Sequence, residues 1–218
     1  MNSIVQKIHI YVDGVTLHGS LALNSGAHGL VVFVQGAGSG RFSPRNRYIA
    51  EQINKTGVST LLIDLLTPGE RNLFRTHDKQ SNVNWLRNRL DSVIDWLQKQ
   101  EQTSGMSIAL FGSNLGAAAA LKTAADRQQQ IAAVTTWSGR LELVKESLAD
   151  ITAPTLLITG SYDQALVDAN RDAAEHFRAP CFLEIIPETG HELKEPGKLE
   201  EMAKVCSDWL QQLLAADE

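Results

Sequence analysis

The hydrophobic positions of this chain change their spacing several times, and each change predicts an element of secondary structure. Residues 7–12 and 17–23 alternate between polar and apolar side chains, and Asp13-Gly14 between them is typical of a hairpin turn. From residue 29 onward, continuous apolar runs alternate with segments whose apolar positions recur every three or four residues. Continuous runs are typical of strands buried on both faces of a parallel sheet, so the first two strands are expected to form an antiparallel edge beside such a sheet.

The same pattern gives the bounds of the remaining elements. Six further strands are expected at 29–34, 58–63, 107–111, 131–137, 154–159 and 181–186. Helices are expected at 46–56, 83–97, 115–125, 165–177 and 198–214, with one short helix at 141–148. Residues 65–80 are expected to be irregular, with Pro68-Gly69 as a turn. The alternation predicts a three-layer α/β/α sandwich with a mostly parallel sheet of about eight strands and helices on both faces.

Length and composition indicate a single α/β domain over residues 1–218. Apolar residues make up 43% of the chain and charged residues 21%, as in ordinary globular proteins. A net charge of −5 and an isoelectric point near 5.7 argue against a nucleic-acid partner. No stretch approaches the ~20 apolar residues of a membrane span, and the first residues lack the features of a signal peptide. We therefore expect a cytoplasmic protein with no membrane partner, and the sequence leaves a homodimer open.

The two cysteines, Cys181 and Cys206, show no metal-type spacing. Both lie in apolar surroundings, which favours buried free thiols over a disulfide or a metal site. We expect neither a bound metal nor a cofactor.

The most informative stretch is the junction of a predicted strand and helix at Gly112-Ser113-Asn114-Leu115-Gly116. A short apolar run precedes this junction, and an alanine-rich helix follows it at once. The layout is that of the G-x-S-x-G nucleophile elbow, a tight turn that raises one side chain above the sheet. In this register the nucleophile position is occupied by Asn114, where the motif has serine.

Candidate chemistry also follows two later strands. Ligands of parallel sheets bind beyond the carboxyl ends of the strands, and Asp163 and His191 both lie just after such ends. The chain order of elbow residue, acid and histidine is that of α/β-hydrolases. The alternatives are that Asp163 caps the next helix and that His191 is an exposed loop residue. The remaining histidines are given no role: His9, His18, His28, His77 and His176.

Taken together, these motifs resemble those of α/β-hydrolases of the dienelactone hydrolase type, over nearly the whole chain. The similar stretches are residues 35–39, 43–47, 62–67, 112–121 and 153–160, and Gly190-His191 with 195–197. The resemblance implies that Asp163 and His191 form an active-site pair. It also implies an oxyanion hole formed by the backbone N–H groups of Ala37 and Leu115, and a small ester, lactone or other acyl substrate. Members usually act through a serine or cysteine, and their loops often carry histidine where this chain has Gln35.

Several residues near these motifs are candidates for substrate contacts: Gln35, Gly36, Arg41, Arg45, Ser113 and Arg140. The arginines at 41, 45 and 47 either bind an anionic group or are solvated side chains at the start of a helix. Trp137 and Arg140 either line the pocket or serve packing and the surface. A dinucleotide site is the alternative for the glycine-rich loop 36–40, but Arg41 replaces the third glycine of that fingerprint and no P-loop lysine follows.

Asparagine at the nucleophile position leaves three functional hypotheses open. Its amide N–H is too weak an acid for imidazole to deprotonate, so no acyl-enzyme can form through Asn114, although asparagine tolerates the positive φ of an elbow. The chain is then a hydrolase whose histidine activates water, a non-catalytic homologue that binds a small ligand or a protein partner, or a serine hydrolase disabled by substitution. Ser113, which breaks the motif spacing, is not favoured as a replacement nucleophile, and neither is deamidation of Asn114 before bulky Leu115.

Overall fold

The computed structural model describes residues 4–38 and 40–215, so Ser39 of the glycine-rich loop lies outside the described residues. Within these ranges, eight strands form one sheet: β1 (Ile4–Val12), β2 (Val15–Leu23), β3 (Gly29–Val34), β4 (Ser59–Asp64), β5 (Ser107–Ser113), β6 (Ile131–Trp137), β7 (Thr155–Gly160) and β8 (Cys181–Ile186). Their order is β1-β2-β4-β3-β5-β6-β7-β8. The β1–β2 and β2–β4 pairs are antiparallel and every later pair is parallel, which confirms the predicted antiparallel edge.

The described residues also form six α-helices, of which five lie between strands and the last follows β8: α1 (Pro44–Lys55), α2 (Pro68–Thr76), α3 (Lys79–Leu97), α4 (Leu115–Asp126), α5 (Gln164–Ala174) and α6 (Lys198–Leu214). Two clusters of buried side chains lie on opposite faces of the sheet. Helices α3 and α4 supply one of them, and α1 and α6 supply the other. The expected three-layer α/β/α architecture is confirmed, and strands β3 and β7 are buried at every position, as their continuous apolar runs predicted.

The prediction that residues 65–80 are irregular is wrong, because this segment contains helix α2 and the start of α3. The Thr67 hydroxyl accepts a hydrogen bond from the Glu70 N–H, and the Glu70 carboxylate accepts one from the Thr67 N–H at 2.7 Å. This is a capping box, and Pro68 occupies the first helical position, where its missing N–H costs nothing. The Pro-Gly pair therefore begins a helix instead of forming a turn.

The region predicted as one short helix at 141–148 also differs. It forms two short 3₁₀ helices, Leu141–Leu143 and Lys145–Asp150. Val144 separates them, with a φ of −137° that no helix continues through. None of the helices described is long and apolar enough to cross a membrane.

Candidate active site

The junction of β5 and α4 has the geometry of a nucleophile elbow. Asn114 has a φ of 51° and a ψ of −120°, and its side chain is exposed above the sheet. A Cβ on Gly112 would lie 2.6 Å from the Gly116 carbonyl oxygen, and one on Gly116 would lie 2.2 Å from the Val34 carbonyl oxygen. Both positions require glycine because the start of α4 packs directly against β5 and the end of β3. The turn that lifts Asn114 is therefore fixed by backbone contact.

Asp163 and His191 meet beside this elbow. One oxygen of the aspartate, Oδ2, accepts a hydrogen bond from the His191 N–H at 2.7 Å and lies 3.2 Å from His191 Nδ1. Asp163 also occupies the N-cap position of α5, but its side chain makes no capping hydrogen bond. The carboxylate therefore contacts His191 and not the helix, which supports an Asp163–His191 pair over the alternative that Asp163 caps α5.

The loop that carries His191 is held from three sides. The Trp137 indole N–H donates to the His191 carbonyl oxygen at 2.9 Å, and an Arg45 N–H donates to the same oxygen at 3.2 Å. The buried Thr189 hydroxyl donates to the Glu195 carboxylate at 2.5 Å, and this bond lowers the pKa of Glu195. These contacts fix the backbone on both sides of the imidazole. Among the described residues, no hydrogen bond joins the His191 ring to the Asn114 side chain.

The predicted oxyanion groups lie together on the other side of the elbow. Ala37 and Leu115 line one cavity with Asn114, and neither of their N–H groups is bonded within residues 4–38 and 40–215. Leu115 is the first residue of α4, where backbone N–H groups have no partner within the helix. Gly36 lines the same cavity next to the Phe74 ring. This side of the elbow thus presents unpaired N–H donors.

Two predicted substrate contacts are not brought to the site. Gln35 is buried, and its Oε1 accepts a hydrogen bond from the Asn46 amide at 2.6 Å. Arg41 forms an ion pair with Asp64 at 2.5 Å and its backbone N–H donates to the same carboxylate at 2.9 Å. Arg71 completes this group through the other carboxylate oxygen of Asp64 at 3.1 Å. Arg41 lines neither of the cavities at the elbow, and its contact with substrate stays a prediction.

The elbow residue lies where two cavities meet. The first has a volume of about 730 Å³ and is lined by Asp163, His191, Trp137, Arg140 and Tyr162, among others. The second has a volume of about 540 Å³ and contains the oxyanion groups. Arg45, Ser113 and Asn114 line both cavities, as candidate substrate contacts would. A ligand bound beside the elbow therefore has room to extend in two directions.

Sequence analysis missed several residues that line the first cavity. The sequence analysis assigns no role to Tyr162 or Ser138, although Ser138 directly follows β6 and Tyr162 lies two residues after β7, at the edge of the sheet where ligands bind. Arg140, a candidate substrate contact, lines the cavity, and its guanidinium Nε donates a hydrogen bond to Glu142 at 2.6 Å. Position after a strand was the signal that could have found Tyr162 and Ser138.

Neither cysteine belongs to the site. Burial raises the pKa of the Cys181 thiol to about 12, and burial also raises the pKa of Cys206 to about 12. Thiols with such pKa values carry almost no thiolate at neutral pH, so neither cysteine replaces the missing nucleophile. Within the described ranges, no group of three or more histidine, cysteine or carboxylate side chains has an arrangement that could hold a metal ion.

Comparison with known proteins agrees with this fold. The sequence model of the dienelactone hydrolase family matches residues 18–213. The crystal structure of a dienelactone hydrolase from Anabaena variabilis is 38% identical, with a TM-score of 0.92, over 98% of this chain and 100% of that one. Est1E from Butyrivibrio proteoclasticus has a TM-score of 0.81 at 17% identity, over 96% of this chain and 99% of its own, which shows a shared fold.

A curated relative from Mycobacterium tuberculosis bears a different kind of name, "Putative phosphoribosyl transferase". It is 38% identical over 204 residues, which are 94% of this chain. The match covers 45% of that protein, so this chain spans less than half the length of the relative.

Proposed function

The chain belongs to the dienelactone hydrolase family, and we propose that it hydrolyses a small ester or lactone by activating water at His191 without forming a covalent intermediate. The observation that carries the proposal is the intact Asp163–His191 pair beside an elbow residue that cannot act as a nucleophile. Without a serine, the pair has no side-chain nucleophile to activate. It still has the groups that a general base needs to activate water, namely an imidazole and the carboxylate that orients it.

The histidine is well placed for this role. Its Nδ1 faces Asp163, which favours the tautomer with the proton on Nδ1 and leaves Nε2 as the basic nitrogen. The His191 side chain is 60% exposed, so water reaches the ring directly. Asp163 both orients the ring and stabilises the imidazolium that forms when Nε2 accepts a proton.

The proposed reaction has two steps. A water molecule attacks the carbonyl carbon of the ester while its proton moves to His191 Nε2, and the carbonyl π electrons move onto the oxygen. The N–H groups of Ala37 and Leu115 then donate hydrogen bonds to this oxyanion, and each such donor contributes about 3 kcal/mol in comparable enzymes. When the tetrahedral intermediate collapses, the bond to the leaving oxygen breaks and that oxygen takes the proton back from His191. The products are a carboxylic acid and an alcohol, and the histidine is restored.

Asn114 is proposed to hold the attacking water. Its amide offers both donors and an acceptor, and the side chain is exposed where the two cavities meet. Because asparagine tolerates a positive φ, it preserves the elbow that a serine would occupy.

The name of the Mycobacterium relative suggests transfer of a phosphoribosyl group as another activity. That name describes a protein of which this chain matches 45%. The groups that meet at the elbow here are an acid–histidine pair and unpaired N–H donors, which suit attack on a carbonyl carbon. We therefore propose hydrolysis, and not phosphoribosyl transfer, for this chain.

A second candidate is binding of a small acyl compound without turnover, which the amide at position 114 favours because it removes the covalent step. An assay with p-nitrophenyl acetate separates the two. We expect slow turnover by the chain and its loss in His191→Ala, with His28→Ala, an exposed histidine outside the site, as the matched control. Turnover equal to that of His191→Ala would exclude the hydrolase, and retained binding of the substrate would then support the second candidate.

A further inference from the structure

The cavity on the oxyanion side of the elbow has an unusual set of charges. Besides the loop 36–38 and the elbow, it is lined by Arg45 from α1, Arg75 near the end of α2, His77, and Lys79 at the start of α3. No aspartate or glutamate lines it among the residues described. Three fixed positive charges and one titratable imidazole therefore face the same space without a carboxylate.

These positive charges are not neutralised by neighbours in the described part of the chain. Arg75 and Lys79 form no ion pair there, and Arg45 bonds only to backbone carbonyl groups, at 3.2 and 3.3 Å.

The carboxylates of the adjoining elements are engaged elsewhere. Asp64 binds two other arginines, and Glu70 binds Arg89 at 2.9 Å. Asp78, next to Lys79 in the chain, accepts a hydrogen bond from the Ser81 N–H at 2.9 Å, which lowers the pKa of its carboxyl. None of these carboxylates lines the cavity.

The backbone adds to the positive potential. The N-terminus of the twelve-residue helix α4 opens into this cavity at Leu115, and the positive end of a helix dipole favours an anion. The Ala37 N–H faces the same cavity.

The first cavity provides the contrast. There Arg140 is paired with Glu142, and Asp163 lies opposite His191, so positive and negative groups are both present. Trp137 and Tyr162 add aromatic surface on that side. Arg45 lines this cavity too, so its two arginines are matched by the two carboxylates of Glu142 and Asp163. The excess positive charge therefore lies on the oxyanion side, which favours one orientation of a substrate that has a single anionic end.

We propose that this basic cavity binds a phosphate monoester group of the substrate, an inference that rests on the proposed function and names its substrate class. A phosphate monoester carries about −1.5 to −2 charge at neutral pH and offers three acceptor oxygens. A carboxylate would leave two of the three fixed charges uncompensated. Guanidinium groups bind phosphate through paired N–H donors, and the two arginines and one lysine provide more donors than a carboxylate can use.

Binding can be measured without any turnover, which separates this inference from the proposed hydrolysis. Isothermal titration with phenyl phosphate, benzoate and inorganic phosphate should give phenyl phosphate the tightest binding, at least tenfold tighter than benzoate. Arg75→Ala and Lys79→Ala should each weaken phenyl phosphate binding about tenfold, because each removes a charge-assisted hydrogen bond. Arg178→Ala and Lys99→Ala are matched controls at exposed positions outside the cavity and should leave the affinity unchanged.

Equal affinity for benzoate and phenyl phosphate would overturn the phosphate assignment in favour of a carboxylate. Affinity for phenyl phosphate that survives both cavity substitutions would also overturn it, since binding would then occur elsewhere. Phosphate binding without ester hydrolysis would contradict the proposed function alone, and hydrolysis without phosphate binding would contradict this inference alone.

Discussion

One oxygen of Asp163, Oδ2, makes two contacts with His191, which lies 28 residues later in the sequence. It accepts a hydrogen bond from the His191 backbone N–H at 2.7 Å and lies 3.2 Å from ring Nδ1. The two contacts fix the position of the loop and the orientation of the ring together. Asp163 is the N-cap residue of α5, yet its carboxylate makes no capping hydrogen bond to that helix, because it binds the histidine instead. This arrangement is what a general base requires.

Replacing the acid should therefore disable the base without disturbing the fold. In Asp163→Asn the amide oxygen can keep both contacts but carries no negative charge, so the imidazolium that forms when His191 accepts a proton is no longer stabilised. We expect kcat/KM for p-nitrophenyl acetate to fall by about 10²-fold or more. Asp168→Asn, an exposed position paired with Arg171, is the matched control. A loss of less than about threefold in Asp163→Asn would argue against a base oriented by this carboxylate.

Restoring a hydroxyl at the elbow should open a covalent pathway. In Asn114→Ser the side chain occupies the motif's nucleophile position beside an intact acid and histidine, so we expect kcat to rise about tenfold or more. Stopped-flow measurements should then show a burst of p-nitrophenol, which marks an acyl-enzyme. If the serine variant shows neither a burst nor a gain, then the histidine is not positioned to activate the elbow residue.

The glycines of the elbow should be intolerant of substitution. Gly116→Ala places a Cβ 2.2 Å from the Val34 carbonyl oxygen, and we expect it to lower the free energy of unfolding by about 2–3 kcal/mol. Gly69→Ala is the control, because a Cβ there meets nothing within 4 Å and alanine favours the helix by about 0.5–1 kcal/mol. Urea denaturation of both variants checks this, and equal stabilities would refute the close packing of α4 on β3.

The capping box of α2 should contribute measurably to stability. Thr67→Ala removes the hydroxyl that accepts the Glu70 N–H, and we expect a loss of about 1 kcal/mol. Hydrogen exchange should accelerate mainly in α2, whose residues 74 and 75 line the basic cavity. Thr76→Ala at the exposed far end of the helix is the comparison. Similar losses in both variants would contradict a specific capping effect.

Both cysteines should resist alkylation in the folded protein. The pKa of each thiol is raised by burial to about 12, so at pH 8 almost all of it is protonated and unreactive. Iodoacetamide at pH 8 should therefore leave the intact mass unchanged, whereas urea should expose both thiols to modification. Cys206 is fully buried, whereas Cys181 is half-buried. Rapid labelling of Cys206 in the native protein would contradict its burial, and rapid labelling of Cys181 would contradict its raised pKa.

Most of the scaffold could be predicted because its signals are local. The continuous apolar runs gave the parallel strands, and the spacing of glycines around Asn114 gave the elbow that the structure contains. Helix α2 was missed although its T-x-x-E capping box is present in the sequence, because Pro68-Gly69 was interpreted as a turn. The sequence of this segment thus contains two local signals, a capping box that predicts a helix and a Pro-Gly pair that predicts a turn, and the structure follows the capping box.

The placement of charged side chains could not be predicted in the same way. Arg41 is close in sequence to the oxyanion loop, yet its side chain is paired with Asp64 at the end of β4. Likewise, Trp137 and Arg45 approach the His191 carbonyl oxygen from positions 54 and 146 residues away. Such contacts depend on how several elements pack together, and the spacing of residues along the chain does not predict that packing.

The most direct test of the account is the intact mass of the protein during turnover of p-nitrophenyl acetate, quenched on the millisecond to second scale, with Asn114→Ser as the positive control. We predict steady turnover that depends on His191, with no acetylated protein at any time, whereas the serine variant accumulates one acetyl group. An acetyl adduct on the unsubstituted chain, at Ser113 or elsewhere on the reaction path, would contradict a water-based mechanism. Complete absence of His191-dependent turnover would contradict it equally.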